Sequence, residues 1–248
     1  FGTMSLRPIQ GAALYELFHV RGLLAPIRVG AGKTLISYLA PVILGAKRPL
    51  LLIPAKLREK TLREFQELSR HWVGANHYRI ESYELLGRIQ AAEILEAYRP
   101  DLIVCDEVHK LKNPKAAVTR RVRRYFQAYP DTQLLAMSGT ITKRSLMDYG
   151  HLAGWALRTG SPVPLLISDL QLWADALDEK PSGVRRVDVG ALKRLCHPGE
   201  TTDVHGVRGA YHRRLVETPG VVATRDSPLG MSLSIAAEFG QIGVLARS

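Results

Sequence analysis

The residues Arg28-Val29-Gly30-Ala31-Gly32-Lys33-Thr34 constrain the possible fold more than any other stretch of this chain. A short apolar run, Leu23-Leu24-Ala25, precedes them, and Leu35-Ile36-Ser37-Tyr38-Leu39-Ala40 follows with helical spacing. A strand, a glycine-rich turn and a helix start together make an anion site. Backbone N–H groups converge there, and the helix dipole adds positive potential. Gly30 and Gly32 permit backbone conformations and a close approach that a Cβ would block. With Ala31 they form the cradle of such a loop, Lys33 reaches the β- and γ-phosphates, and the Thr34 hydroxyl is a magnesium ligand. The strict spacing G-x-x-x-x-G-K-[ST] is not met, because Ile27 stands at the first glycine position. For this stretch alone, a plain turn is the competing reading.

A second feature raises the phosphate reading. Asp101-Leu102-Ile103-Val104-Cys105 reads as a strand buried on both faces, and it runs into Asp106-Glu107-Val108-His109. Adjacent carboxylates at the C-terminal end of a buried strand are costly unless water, a metal or a ligand meets them. In nucleotide hydrolases an aspartate here holds the Mg²⁺ shell, and the next glutamate orients the attacking water.

Two more apolar runs, Pro49-Leu50-Leu51-Leu52-Ile53-Pro54 and Gln133-Leu134-Leu135-Ala136-Met137, read as buried strands, and Tyr78-Arg79-Ile80-Glu81-Ser82-Tyr83 as another. Between the last of these and Pro100, Leu85, Leu86, Ile89, Ile94 and Leu95 predict a single helix. Ser138-Gly139-Thr140 ends a strand with small polar residues, which either face the carboxylates or make an ordinary turn. Gln10, at the start of a helix carrying Pro8 in its first turn, either packs or pairs with an adenine edge. Strands alternating with helices predict an α/β fold, a doubly wound parallel sheet with helices on both faces and the site along one edge.

The 248 residues hold one large domain or a domain with an appendage. Their net charge of +11 calls for a polyanionic partner if the charge is clustered. It is clustered. Residues 110–124 carry Lys110, Lys112, Lys115, Arg120, Arg121, Arg123 and Arg124 with no acidic residue. Val118, Val122, Tyr125, Phe126 and Tyr129 recur on the opposite helical face, so the basic face is expected to point outward, either solvated or against phosphates. Cys105 and Cys196 make no disulfide framework, which points to a reducing compartment. The spacing of Cys196, His197, His205 and His212 fits no standard zinc pattern. No apolar run reaches membrane-spanning length, so no membrane partner is expected. Phe1-Gly2-Thr3 ahead of Met4 reads as an appended remnant and not a targeting signal.

Together these motifs resemble the first RecA-like lobe of Swi/Snf-type ATPases in helicase superfamily two. Leu6-Arg7-Pro8-Ile9-Gln10 is similar to the family's adenine-reading motif, and Gly30-Ala31-Gly32-Lys33-Thr34 to its phosphate loop. Ser82-Tyr83-Glu84 is similar to a tripeptide that follows a family strand. Asp106-Glu107-Val108-His109-Lys110-Leu111-Lys112-Asn113 resembles the DExH element with the family's Lys-Asn extension, and Ser138-Gly139-Thr140-Ile141-Thr142 the motif that links ATP to DNA movement.

The resemblance implies a P-loop RecA-like lobe over residues 1–160. Residues 161–248 would form a small helical appendage and a connection toward a second RecA-like lobe, supplied in cis or in trans. It implies ATP and Mg²⁺ as cofactors, double-stranded DNA as partner, and a DNA-stimulated ATPase that translocates on duplex DNA. Lys33, Asp106 and Glu107 would be catalytic, with Thr34 and Asp106 on Mg²⁺ and Arg7 and Gln10 at adenine. His109, Ser138, Gly139 and Thr140 would couple hydrolysis to motion, and Lys112, Arg120, Arg121, Arg123 and Arg124 are candidates for DNA contact. A cytoplasmic, nucleoid-associated protein is implied, or one in the host cytoplasm if phage-encoded. Nothing after Gly160, Arg225 included, resembles the arginine finger of the second lobe, so slow turnover is expected of this stretch alone. Two other readings stay open: a nucleotide-gated DNA- or protein-binding module with little turnover, and a P-loop kinase or transferase.

Overall fold

The computed structural model describes residues 2–91, 93–139, 145–178 and 189–224. Thr140, Ile141, Thr142, Arg185, Arg186 and Arg225 lie outside the described residues. Five strands, β1 (Leu23–Pro26), β2 (Pro49–Ile53), β3 (Arg79–Ser82), β4 (Leu102–Asp106) and β5 (Gln133–Ser138), form one all-parallel sheet in the order β1-β5-β4-β2-β3. Successive side chains of a strand point to opposite faces, and here both faces are apolar. Leu23, Ala25, Leu51, Ile53, Leu102, Val104, Leu135 and Met137 enter one buried cluster. Leu24, Leu50, Leu52, Ile103, Cys105, Leu134 and Ala136 enter the other. This two-sided burial is why the strands read as continuous apolar runs with no alternation.

Helices α1 (Pro8–Val20), α2 (Lys33–Leu44) and α3 (Arg58–Leu68) cover the first face. The second face carries α4 (Tyr83–Leu86), α5 (Ile94–Tyr98), α6 (Ala117–Ala128), α7 (Gly150–Leu157), α8 (Ile167–Leu177) and α9 (Val204–Glu217). The helices after residue 160 share that core: Trp173 of α8 meets Tyr211 of α9 edge-on at 6.0 Å, and the Tyr211 hydroxyl bonds that of Tyr149. Beyond α9 the chain returns to the outer edge of β1. Val221 bridges Leu24 in parallel, Val222 N–H donates to the Leu24 carbonyl and Thr224 N–H to that of Pro26. No helix among the described residues is long and apolar enough to cross a membrane.

The register fixes where polar chemistry can occur. Pro26 pairs with Ser138, and Asp106 with Met137, so β1, β5 and β4 end at one level with β5 in the middle. The residues that follow these strands therefore meet over one edge of the sheet.

Two sequence expectations are corrected. The single helix between β3 and β4 is broken: α4 stops at Leu86, Gly87 and Arg88 turn the chain, and Ile89 is 91% exposed instead of packed. Arg121 does not join the outward basic face. It is buried, and its guanidinium donates to the carbonyls of Leu86 and Arg88. The two departures have one cause, because ending α4 frees carbonyls that a buried cation must satisfy. Arg120 and Arg124 are exposed and Arg123 is half-buried.

Arg121→Ala should therefore cost about 1.5–3 kcal/mol of stability, the loss of hydrogen bonds from a charged donor to buried carbonyls. Arg124→Ala, on the solvent side, should stay within about 0.5 kcal/mol of the parent. Urea denaturation midpoints of the two variants check this ordering.

Candidate active site

The phosphate loop leaves β1 at Pro26. Gly30 and Gly32 have φ of +83° and +84°, in the left-handed region that favours glycine. A Cβ on Gly32 would also strike the Gln10 side-chain amide. Gly32 precedes α2 with no side chain capping the helix and no acid in its first turn, which leaves the helix N-terminus facing the loop. Ala31 is buried beneath the loop. Ile27, at the position where a glycine was expected, is buried in the first-face core. Its φ is not among the positive values found for non-glycine residues, so no glycine is needed. Its carbonyl accepts from Lys33 Nζ at 3.2 Å.

Lys33, Asp106, Glu107, His109 and Ser138 come together as the strand ends require. Lys33 is buried, with Nζ 3.9 Å from Glu107 Oε1. The other Glu107 oxygen, Oε2, accepts from Ser138 Oγ at 3.2 Å and lies 3.1 Å from His109 Nδ1, which is itself 2.9 Å from Ser138 Oγ. The hydrogen bond from His109 holds the Glu107 carboxyl below its usual range; Lys33 and Ser138 add to this against the opposing effect of burial. Glu107 sits at φ +57°, a left-handed conformation rare outside glycine and worth about 1–3 kcal/mol of strain. The surrounding contacts hold it there, so that its carboxylate faces Lys33 and not the core.

Burial pushes the Asp106 carboxyl up to about 6, with Lys33 pulling down and Glu107 pushing up. Its Oδ1 accepts from Glu107 N–H at 3.1 Å, and its backbone carbonyl accepts from the buried Tyr83 hydroxyl at 2.8 Å. Ser82, Tyr83 and Glu84 thus acquire distinct tasks. Ser82 caps α4 through Leu85 N–H, Tyr83 fixes the end of β4, and Glu84 accepts from Ala55 N–H after β2.

Arg7 and Gln10 brace the loop. Arg7 Nη1 donates to the Gly30 carbonyl at 2.7 Å, and Gln10 Nε2 to that of Gly32 at 3.1 Å, while Gln10 Oε1 accepts from Arg7 N–H. Gly139 lies against Val29, with room for no more than ordinary contact. Lys112 is exposed beyond the DExH element. Two participants carried no sequence signal of their own. Thr34 Oγ1 donates to Glu64 Oε2 of α3 at 2.9 Å, and Arg28 N–H donates to Thr224 Oγ1 at 3.2 Å.

The profile of a protein family described as type III restriction enzyme, res subunit (ResIII), matches residues 3–143. That span exceeds half of the chain and takes in every residue just placed except Thr224. The chain belongs to the ResIII family. ResIII domains are ATPase-like domains of helicase superfamily two, and such domains bind ATP and generally hydrolyse it with Mg²⁺. No curated protein matches the chain in sequence.

The residues present fit magnesium. The Thr34 hydroxyl and Asp106 carboxylate are hard oxygen donors, and a carboxylate made costly by burial is relieved by a cation. Among the described residues no three His, Cys, Asp or Glu side chains converge as a metal cage, so any ion here shares its shell with water and phosphate.

Burial of Asp106 carries a stability signature. The folded chain keeps a proton up to about pH 6, whereas an unperturbed aspartate loses it near 3.8. Between those values the folded state binds more protons, so stability falls as pH rises through the window, and the full cost persists above it. In a ResIII domain without nucleotide, Asp106→Asn should gain about 1–2 kcal/mol at pH 7.5, and the gain should vanish toward pH 4. Thermal unfolding at the two pH values measures it; destabilisation at pH 7.5 would contradict the assignment.

Proposed function

We propose that this ResIII chain is the ATP-binding lobe of a DNA-stimulated ATPase of the Swi/Snf-like kind, moving on double-stranded DNA together with a second RecA-like lobe. The observation that carries the reading is the Lys33–Glu107–His109–Ser138 constellation at the level ends of β1, β4 and β5. A nucleotide-binding module without turnover has no use for a strained, hydrogen-bonded glutamate beside the phosphate lysine.

The chemistry follows from the residues. Backbone N–H groups of the loop and the α2 N-terminus bind the β- and γ-phosphates, and Lys33 exchanges its contacts with Ile27 and Glu107 for phosphate oxygens. Thr34 and Asp106 hold Mg²⁺, which when bound supplies charge neutralisation to the polyphosphate. Glu107, kept ionised by His109 and Lys33, accepts a hydrogen bond from the water that attacks the γ-phosphorus. Attack forms one P–O bond as the bond to the β-phosphate oxygen breaks, giving ADP and phosphate, with the proton passing toward Glu107. His109 and Ser138 bind the same Glu107 oxygen, so movement of the chain after β5 bears directly on the orientation of that water. We assign coupling to His109 and Ser138 on this ground, and to Gly139 and Thr140 on the sequence resemblance alone. Arg7 and Gln10 are bonded to the chain, Arg7 Nη1 to the Gly30 carbonyl and the Gln10 amide to Gly32 and Arg7, and would exchange those contacts to address the adenine.

Support for DNA comes from Lys112, Arg120 and Arg124, which are exposed, and from half-buried Arg123, in the segment that directly follows the DExH element. Their charges would meet phosphates without reading bases. Support for the Swi/Snf kind is the Lys112-Asn113 extension, in which Asn113 Oδ1 caps the turn by accepting from Lys115 N–H at 2.9 Å.

Lys33→Ala should abolish ATP binding, and Glu107→Gln should preserve binding while lowering turnover by about 10²-fold or more; equilibrium binding and phosphate release separate the two. If the α6 surface meets DNA, replacing Arg120, Arg123 and Arg124 with Ala should make the slope of log affinity against log salt shallower by about 2–3. An unchanged slope assigns that surface to solvent.

A further inference from the structure

We propose that Glu64 is the positioning residue for the magnesium-binding hydroxyl of Thr34, an inference that rests on the nucleotide reading above. A threonine hydroxyl has one proton and two lone pairs. Thr34 Oγ1 spends its proton on Glu64 Oε2 at 2.9 Å. Both lone pairs are thereby turned away from α3. A hydroxyl whose proton is held by a carboxylate is also a better donor to a cation, as a ligating imidazole is when its other N–H is bound.

The carboxylate is built in place. Its other oxygen, Oε1, lies 3.5 Å from Lys60 Nζ one turn earlier on α3. The neighbouring residue, Phe65, is wedged between Tyr38 of α2 (5.1 Å between ring centroids, edge-on) and Tyr78 (5.5 Å). That aromatic contact fixes the rotation of α3 against α2, and with it the reach from Glu64 to the first turn of α2. Glu64 acts through Thr34 and not as a ligand, since its Oε2 is occupied by the Thr34 proton and its Oε1 faces Lys60 Nζ. The simpler role, a helix-surface ion pair with Lys60 alone, accounts for Oε1 and leaves the Thr34 bond without a purpose.

The test is a Mg²⁺ titration of the binding of a ribose-labelled fluorescent ADP, repeated in EDTA. Glu64→Ala should raise the Mg²⁺ concentration for half-maximal binding by about 10–100-fold, the usual cost of losing an outer-shell partner. Affinity in EDTA should stay within about twofold, because the metal-free loop does not need the oriented hydroxyl. Glu64→Gln, which can still accept the Thr34 proton, should fall between Glu64→Ala and wild type, and Lys60→Ala should match wild type. In a double-mutant cycle, Glu64→Ala should add little to Thr34→Val, as expected of residues acting as one unit. Unchanged thermal midpoints show that the variants are folded.

An unaltered Mg²⁺ requirement in Glu64→Ala would overturn the inference and leave the nucleotide reading standing. An equal loss of affinity in EDTA would also overturn it, by assigning Glu64 to general support of the loop. Absence of Mg²⁺-dependent ADP binding in wild type would remove the nucleotide reading and this inference together.

Discussion

The Lys33 ammonium is buried, and the cost of taking that charge out of water orders what surrounds it. An isolated buried ammonium loses several kcal/mol of hydration, so it needs a carboxylate and hydrogen-bond acceptors close by. The chain supplies the Ile27 carbonyl from the end of β1, the Glu107 carboxylate from the end of β4, and the nearby charge of Asp106. None of these could reach Lys33 unless three strands ended at one level, and the parallel register of β1, β5 and β4 ensures that they do. The sheet can be parallel and level only because helices bury both of its faces. Thus the charge at the centre and the apolar layers around it are two sides of one arrangement.

That arrangement keeps the site in an electrostatically expensive state that a polyphosphate and a cation would relieve. Asp106 is harder to ionise than an ordinary aspartate, and Glu107 is held in a backbone conformation that few non-glycine residues adopt. Both features oppose stability, and both suit the proposed chemistry, in which Asp106 would meet a cation and Glu107 a reacting water. The balancing contacts lie outside the glycine loop: Tyr83 holds the Asp106 carbonyl, and His109 and Ser138 hold Glu107. The chain beyond α9 reaches the same region along the edge of β1, where Thr224 accepts from the Arg28 amide of the loop.

Much of this was legible in the sequence because it is local chemistry. Two glycines ahead of Lys33-Thr34 and two acids after an apolar run each state their role within a few residues, and continuous apolar runs announce strands buried on both faces. Arg121 was misread although its signal was present. It lies three residues after Val118 and four before Tyr125, on the buried stripe and not the basic one. The break after Leu86 was harder to see, since Gly87 alone marks it and the donor that satisfies the freed carbonyls, Arg121, lies on another helix. Ile27 in place of a glycine looked like a defect, but that position takes an ordinary backbone and a core side chain. Glu64 was invisible for a plain reason: it is one acid among several on a charged helix, and only the packing of Phe65 against α2 turns it toward Thr34.

The central claim is that the ends of β1, β4 and β5 form one Mg²⁺–nucleotide site. Amide hydrogen exchange of the protein with and without Mg²⁺–ADP tests it most directly. The account expects slowed exchange concentrated in residues 28–35 and 106–109, with the outer strand β3 and the helices α8 and α9 little changed. Protection absent from the loop, or confined to residues after 160, would contradict it.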